Sequence, residues 1–271
     1  MSPFRGVSSE LRIEDRGRRT VGVIMPRLRV AEQFVENARS APAQKDLYDA
    51  LIRCCSDMGV RYFALTHHID FGREAGPAIR LHNYPPSWES WFDDNGLGRT
   101  DPIHRACNLA SVGFAWSAVP AMIKLTPDDK IVLDRAYQIG IGEGFTIPAS
   151  VPGEALGSCS FAVEAGLPFP QELQFVCQLI GAFAFEAARR ISGSRRILPD
   201  PILTDRQRDC VLWAARGKTD WEISVILGIG HETVIQHLKH ARERYNVQKR
   251  ALLAVRALFD GLISFSDILK H

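Results

Sequence analysis

The sequence predicts an α+β fold: an N-terminal α/β/α sandwich with a mostly antiparallel sheet, followed by a small all-α domain of four helices. Before residue 191, short runs rich in aromatic and β-branched residues alternate with helical patterns, which is typical of helices packed on a sheet. Residues 192–202, SGSRRILPDPI, are typical of a linker. Only helical periodicity follows, so we expect two domains in this chain of 271 residues.

The composition is that of an ordinary globular protein. The formal net charge of +2 indicates no acidic or basic partner by itself. No apolar run approaches the roughly 20 residues that a membrane span needs, so we expect a cytoplasmic protein with no membrane partner. The six cysteines are scattered without a C-x-x-C pair, and we interpret them as reduced thiols that fill the core.

The first domain is predicted over residues 28–191, after a basic tail at residues 1–27. Arginine outnumbers acidic residues in the tail, which favours a solvated arm, with nucleic-acid contact as the alternative. The domain begins with two helices, the second marked by the apolar residues Leu47, Ala50, Leu51, Cys54 and Met58. Strands are predicted in RYFALTHHI, AIRLHNY, VGFAWSA, EGFTIPAS and GSCSFAVEA, and helices in PDDKIVLDRAYQIG and at about residues 170–191.

The second domain is predicted over residues 203–271, and the ends of its helices are marked in the sequence. Two capping boxes and three turn glycines mark them: Thr204 with Gln207, Thr219 with Glu222, and Gly217, Gly228 and Gly230. The last two glycines are expected to allow a tight turn before the third helix, HETVIQHLKHARERYN, which Val234, Leu238 and Ala241 anchor.

Two helices joined by a short turn that contains glycine form a helix-turn-helix, whose second helix enters the major groove of DNA. Residues 203–257 carry ten Lys or Arg against six acidic residues, which is a modest excess. From the pattern alone, a DNA-binding domain and a plain helical bundle remain alternatives.

The whole second domain resembles the DNA-binding domain of LuxR-type transcription factors. The family pattern is matched by Leu203, Thr204, Arg206, Gly217, Lys218, Thr219, Glu222, Ile223, Thr233, Val234, His237 and Leu238. Four positions depart from it: Gln207 replaces Glu, Gly230 replaces Ser, and Glu232 and Ile235 stand where basic or polar residues are frequent. These departures affect the expected operator sequence rather than the mode of binding.

The resemblance implies which residues contact double-stranded DNA, a solvated surface side chain being the alternative for each. Base edges are expected to meet Glu232, Ile235, Gln236 and Lys239. Phosphates are expected to meet Lys218, Arg242, Arg244 and Arg250. Thr219 and Thr233 are further expected DNA contacts. The family also implies a homodimer on an inverted repeat, with RNA polymerase as a further partner. The stripe Leu252, Val255 and Leu258 is the candidate for dimerisation, and packing within the domain's own core is the alternative.

Residues 29–190 resemble the autoinducer-binding domain of quorum-sensing regulators. The family pattern of spaced aromatic residues, Asp-Pro and Gly-x-x-x-Gly-x-x-x-Pro is matched by Tyr84, Trp88, Phe92, Asp101, Pro102, Trp116, Gly140, Gly144 and Pro148. Phe92 occupies a position that is usually Tyr, so one hydroxyl is absent. A hydrogen bond contributes about 0.5–1.5 kcal/mol, so this change is expected to shift ligand preference without abolishing binding.

The implied ligand is an N-acyl homoserine lactone, which offers one amide N–H donor, two carbonyl acceptors and an apolar chain. Such a site needs few polar groups and much apolar surface. The resemblance implies that Asp101 accepts from the amide, that Trp88, Tyr84 and Ser160 serve the carbonyls, and that Phe92 and Trp116 enclose the ligand.

Several of these residues also have a structural alternative. Asp101 in an Asp-Pro pair is a typical helix N-cap. Trp88 and Phe92, four residues apart, suit one face of a helix. Gly140 and Gly144 are suited to relieve the backbone where a strand begins.

The sequence therefore predicts a ligand-responsive transcriptional regulator and not an enzyme, with no cofactor and no metal beside its small-molecule signal. A ligand-independent or antagonistic regulator of the same fold is the alternative. A lactone-processing enzyme is more remote, because HHID at 67–70 lacks the remaining ligands of a metal site and no nucleophile–base motif appears.

Overall fold

The computed structural model describes residues 27–71, 78–193 and 203–269. The predicted basic tail, apart from Arg27, and residues 194–202 of the predicted linker lie outside this part of the chain. The described residues divide into two compact units: the first contains those up to residue 150 and residues 155–193, and the second contains residues 151–154 and 203–269. No helix in the described ranges is long and apolar enough to cross a membrane.

The first unit packs helices against a five-stranded sheet. Residues 27–40 form α1. The other helices are α2 (Gln44–Met58), α3 (Pro86–Asp94), α4 (Pro102–Cys107), α5 (Val119–Met122), α6 (Pro127–Gln138) and α7 (Gln174–Ser192). The strands are β1 (Tyr62–His67), β2 (Arg80–His82), β3 (Phe114–Ala115), β4 (Ile141–Ala149) and β5 (Gly157–Glu164).

The strand order is β2-β1-β5-β4-β3, and every neighbouring pair is antiparallel, which confirms the predicted sheet. The register places Thr146, Ser160, Ala64 and His82 side by side in one row across four strands. Because alternate residues of a strand face opposite sides, this row lies on one face of the sheet. The row forms the floor of the site described below.

The hydrophobic core of the first unit lies on the opposite face of the sheet. Phe63, Leu65 and Phe161 are fully buried there among side chains of α1, α2 and α7. Cys159 on β5 belongs to this core, together with Cys54 and Cys55 of α2 and Cys177 of α7. All six cysteines of the chain are free and buried, as predicted.

The strand in VGFAWSA and the last helix have other bounds than predicted, and the short helix α5 was not predicted. The run VGFAWSA pairs with β4 only at Phe114–Ala115, and a 3-10 turn at Trp116–Ala118 follows. Pro120 suits the first turn of α5, which follows this 3-10 turn. The long last helix begins at Gln174, after a 3-10 turn at Gln171–Leu173.

The second unit contains five helices in its described residues, one more than predicted. They are α8 (Asp205–Ala215), α9 (Asp220–Leu227), α10 (His231–Tyr245), α11 (Arg250–Phe259) and α12 (Phe265–Leu269). Ser264 and Asp267 form a reciprocal cap at the start of α12, because Ser264 Oγ accepts from Asp267 N at 3.1 Å and Ser264 N donates to Asp267 Oδ2 at 3.0 Å. This S-x-x-D spacing was the sequence signal for the fifth helix.

The caps of α8 and α9 follow the prediction. Thr204 Oγ1 accepts from Gln207 N at 3.3 Å, and Thr219 Oγ1 accepts from Glu222 N at 3.3 Å. Gly228 ends α9 in the left-handed region, with φ 62°. Gly230 has φ −64°, which any residue adopts, so of the two glycines expected to allow the turn only Gly228 takes a conformation that favours glycine.

Candidate ligand pocket and DNA-binding surface

One cavity of about 90 Å³ lies between the sheet and helices α3, α4 and α6. This volume holds several water molecules. The six residues predicted to bind ligand all line it, namely Tyr84, Trp88, Phe92, Asp101, Trp116 and Ser160. The structure therefore brings together residues that lie up to 76 positions apart in the sequence.

Asp101 both caps a helix and faces the cavity. Its Oδ1 accepts from Ile103 N at 2.8 Å and from His104 N at 3.0 Å, so the N-cap alternative is correct. Both bonds use the same oxygen, and Oδ2 has no hydrogen-bond partner among the described residues. The residue is buried, at 6% exposure. One carboxylate thus anchors α4 and keeps an acceptor oxygen free for a ligand.

Two hydrogen-bond donors lie on the same cavity. The side chain of Trp88 is buried on α3, and its indole N–H has no acceptor among the described residues. Tyr84 lies just before α3, and burial together with the nearby Asp101 carboxylate raises the pKa of its phenol. The phenol therefore keeps its proton and remains a donor at neutral pH.

Ser160 is the end of a hydrogen-bonded chain across β4 and β5. Trp116 Nε1 donates to Thr146 Oγ1 at 2.8 Å, and Thr146 Oγ1 lies 2.8 Å from Ser160 Oγ. When Thr146 donates onward to Ser160, the Ser160 hydroxyl is left as a donor toward the cavity. Trp116 was predicted only to enclose the ligand. Its indole N–H also orients the hydroxyls of Thr146 and Ser160.

Sequence reasoning missed Thr146, which is fully buried on β4. The alternation of the strand was the available signal, because Gly144 and Thr146 lie on the same face of β4 as the cavity. Gly144 also has a specific role: an added Cβ would lie 2.6 Å from Trp116 Cε2. The glycine therefore makes room for the indole, whereas Gly140 has a positive φ of 95° and relieves the backbone, as anticipated.

The rest of the lining separates into an apolar side and a polar side. The apolar side consists of Val132, Leu133, Ala136 and Ile141, from α6 and the start of β4. The polar side carries Thr66, Arg80, His82, Glu89 and His104, which sequence reasoning did not single out. Their positions on strands β1 and β2 and at the start of α3 and α4 gave no spacing that resembles a known pattern.

The two histidines of HHID lie beside this cavity but not in a metal-binding arrangement. His68 Nε2 lies 2.9 Å from Ser158 Oγ, and its ring stacks on His104 with centroids 3.9 Å apart. Burial, and next the neighbouring histidines, lower the pKa of His68, which keeps the ring neutral. The described residues contain no cluster of three potential metal ligands.

The helix-turn-helix of the second unit consists of α9 and α10. Val234, Leu238 and Ala241 are buried, as predicted, so the opposite face of α10 lies in solvent. Six of the predicted DNA contacts are exposed, Thr219, Glu232, Thr233, Gln236, Lys239 and Arg244, and four are half-buried, Lys218, Ile235, Arg242 and Arg250. These contacts remain predictions.

Two basic residues of this surface have partners within the protein. Arg250 forms an ion pair with Asp220 and donates to the carbonyl oxygen of Lys218, which ties the start of α11 to the start of α9. Lys218 Nζ lies 3.3 Å from Glu222 Oε1. A phosphate contact by Arg250 would therefore add to an existing structural role.

The predicted dimerisation stripe is only partly exposed. Leu252 and Val255 are 45% and 57% exposed, whereas Leu258 packs against the core of the second unit. Phe259, 42% exposed, continues the outer face instead. The unpaired apolar surface of α11 is therefore Leu252, Val255 and Phe259, and the own-core alternative holds for Leu258.

Comparison with known proteins gives one matching family model for each unit. The autoinducer binding domain model matches residues 43–190, and the model of bacterial regulatory proteins of the luxR family matches residues 201–257. The chain belongs to the LuxR family of quorum-sensing transcriptional regulators. This family consists of regulators and not of enzymes, which confirms the prediction about activity.

Relatives of this LuxR-family chain cover almost its whole length. The quorum sensing-dependent regulator RpaR of Rhodopseudomonas palustris is 31% identical over 87% of this chain and 95% of its own. The transcriptional activator LuxR of Aliivibrio fischeri is 23% identical over 86% of this chain and 94% of its own. The crystal structure of Escherichia coli SdiA shares the fold, with a TM-score of 0.62 and 23% identity over 89% of this chain and 98% of SdiA.

Proposed function

We propose that this regulator binds an N-acyl homoserine lactone in the cavity of its first unit and an inverted repeat of double-stranded DNA as a homodimer in the cytoplasm. The observation that supports this most is the shared cavity of Asp101, Trp88, Tyr84 and Ser160. One acceptor oxygen and three donors complement one amide N–H and two carbonyl groups.

Each polar group then has a defined task. Asp101 Oδ2 accepts from the ligand amide while Oδ1 continues to cap α4. The Trp88 indole donates to the lactone carbonyl, and the Tyr84 phenol donates to the acyl carbonyl. Ser160, oriented through Thr146 and Trp116, supplies a second donor to the acyl carbonyl. Phe92 contributes apolar surface without a hydroxyl.

Ligand and folding are coupled in this proposal. An unpaired buried polar group costs about 1–3 kcal/mol, and the empty cavity leaves several such groups without protein partners. A ligand at 100 times its dissociation constant adds about 2.7 kcal/mol to the stability of the state that binds it. The ligand therefore raises the yield of folded dimer, and through the dimer it raises DNA affinity.

The DNA-binding half of the proposal rests on the exposed face of α10. Gln236 and Glu232 lie one turn apart on this face, with Gln236 Nε2 3.5 Å from Glu232 Oε1, and suit adenine and cytosine edges. Two copies of α10 read two half-sites when the apolar surface of α11 pairs two chains. RNA polymerase is the partner through which a bound dimer would act.

Expression with and without ligand tests the proposal. The chain is produced with a panel of N-acyl homoserine lactones or with solvent alone, and soluble dimer is measured by sedimentation velocity. DNA selected from a random library is then titrated by fluorescence anisotropy at several salt concentrations. We expect at least one lactone to raise both dimer yield and affinity, with affinity falling steeply in salt. Equal yield and affinity in all preparations would favour a ligand-independent regulator.

A further inference from the structure

The cavity has a polar wall that the proposed contacts to the lactone and amide do not use. This polar wall consists of Thr66 on β1, Arg80 and His82 on β2, Glu89 on α3 and His104 on α4. A plain hydrocarbon chain gains nothing from such residues, because polar groups covered by hydrocarbon lose their hydrogen bonds to water.

The polar wall lies at a distance from Ser160, although the His82 ring centre is 5.8 Å from that of Tyr84. His82 shares a sheet row with Ser160, and Ala64 stands between them. Neighbouring strands are about 4.8 Å apart, so the backbones of Ser160 and His82 are about 10 Å apart. Thr66 and Arg80 pair with each other one row further along the same face. The small side chain of Ala64 leaves space in the cavity between Ser160 and the polar wall.

Three side chains of the polar wall present hydrogen-bond acceptors. Thr66 Oγ1 donates its hydrogen to His67 O at 3.0 Å, which leaves only lone pairs on the hydroxyl. His104 Nδ1 lies 2.9 Å from the carbonyl oxygen of Gly98, which can only accept. The Nδ1 therefore carries a hydrogen, and in the tautomer with its only hydrogen there, Nε2 presents a lone pair.

His82 gives the third acceptor. Its Nε2 lies 3.6 Å from Glu89 Oε1, and its Nδ1 is buried without a hydrogen-bond partner among the described residues. Burial lowers the pKa of the His82 imidazole despite the raising effect of Glu89, so the ring is neutral at pH 7. A proton on Nε2, toward the carboxylate, leaves Nδ1 as an acceptor.

The donors of the polar wall are already engaged. Arg80 binds Glu89 at 3.3 Å and Asp93 at 2.8 Å, and its guanidinium lies 4.7 Å from the ring centre of Phe71. The polar wall therefore offers lone pairs to a ligand and few free N–H groups.

We infer that the acyl group of the ligand carries a hydrogen-bond donor, such as a hydroxyl, at its far end against Thr66, His82 and His104. This inference rests on the proposed lactone-binding function and specifies its ligand class. A donor at that end satisfies acceptors that a terminal methyl group leaves unpaired, so ligand discrimination follows from the polar wall.

Matched ligand pairs test the inference on the full chain. N-acyl homoserine lactones of six, eight and ten acyl carbons are compared with the same lactones bearing a terminal hydroxyl, by isothermal titration calorimetry. We expect the hydroxylated ligand to bind about tenfold more tightly at the length that fits. In His82→Leu this preference should disappear, while the exposed His240→Leu on α10 should keep it.

The outcomes separate this inference from the proposed function. If plain lactones bind as tightly as hydroxylated ones at every length, or if His82→Leu retains the preference, the inference is overturned and lactone binding stands. If neither series binds, the proposed function itself fails. Should His82→Leu not fold, Thr66→Val replaces it, because this change removes an acceptor at nearly constant volume. Loss of the preference for hydroxylated lactones in Thr66→Val supports the inference, and its retention overturns it.

Discussion

The backbone of Gly144 lies directly beneath the indole of Trp116, so that a Cβ added to the glycine would be 2.6 Å from Cε2 of the ring. This contact fixes the position of Trp116 Nε1, which donates to Thr146 and through it orients Ser160. A residue without a side chain thus influences the orientation of a hydroxyl on the neighbouring strand β5.

We expect Gly144→Ala to displace the Trp116 ring and to lower the free energy of unfolding by about 1–3 kcal/mol, the usual cost of overpacking. Ligand affinity should fall as well, because Ser160 loses its oriented partner. Urea denaturation and calorimetry measure the two effects. Gly230→Ala is the matched control, since a Cβ there meets only Thr233 Oγ1 at 3.3 Å, and ligand affinity should stay unchanged.

Asp129 should make stability depend on pH. Burial alone would raise its pKa, but hydrogen bonds from Thr126 N and from the Arg105 guanidinium outweigh this effect and hold the pKa below its usual value. A depressed carboxyl pKa stabilises the fold above the unfolded value of about 3.9. We expect Asp129→Asn to cost about 2 kcal/mol at pH 7.

This difference between Asp129→Asn and the parent protein should shrink as the pH falls below about 4, because protonation removes the same interaction from the parent. Urea midpoints at pH 7 and pH 3 measure it. If the difference in urea midpoint is the same at both pH values, the charge of Asp129 contributes nothing to the stability of the fold.

The cysteines should resist alkylation in the folded chain. Burial raises the pKa of Cys54 and of Cys107 to about 12 and that of Cys210 to about 11, and thiolates rather than thiols are the nucleophiles. With iodoacetamide at pH 8, we expect little labelling of native protein and six labels in urea. Mass spectrometry counts them, and rapid native labelling of these sites would contradict the packing described.

The apolar surface of α11 should hold two chains together. Val255→Asp introduces a charge at a position that is 57% exposed, so the chain itself should keep its stability while the dimer dissociates. Sedimentation velocity with ligand present measures the dimer. Leu109→Asp, at a comparably exposed apolar position on the first unit, is the control. Dimerisation unaffected by Val255→Asp would place the interface elsewhere.

The comparison with sequence shows which information is local. Caps such as Thr204 and Thr219 depend on residues three apart, and the two capping boxes were therefore predictable. The N-cap alternative for Asp101 was correct, and its role toward a ligand stays a prediction, for which its second carboxylate oxygen is available. The end of α9 could also be predicted, because it depends on one residue, Gly228, whose left-handed φ is a local property.

The polar wall could not be predicted, because it depends on contacts between residues far apart in the sequence. Thr66, His82 and His104 come from separate elements, and only the pairing of β1 with β2 and the packing of α4 on the sheet bring them to one cavity. Leu258 shows the same limit, since the spacing of an apolar stripe does not tell which edge of α11 turns inward.

Titration of the Asp101→Asn variant tests the central claim most directly. The full chain and the variant are each titrated with the lactone that raises dimer yield, and binding is measured by calorimetry. Asn can still cap α4 through its side-chain oxygen, but its amide hydrogens face the ligand N–H if that oxygen serves the cap. We predict that affinity falls at least a hundredfold, while the thermal unfolding midpoint without ligand changes by only a few degrees. Unchanged affinity in a folded variant would contradict the assignment of this cavity as the signal-binding site.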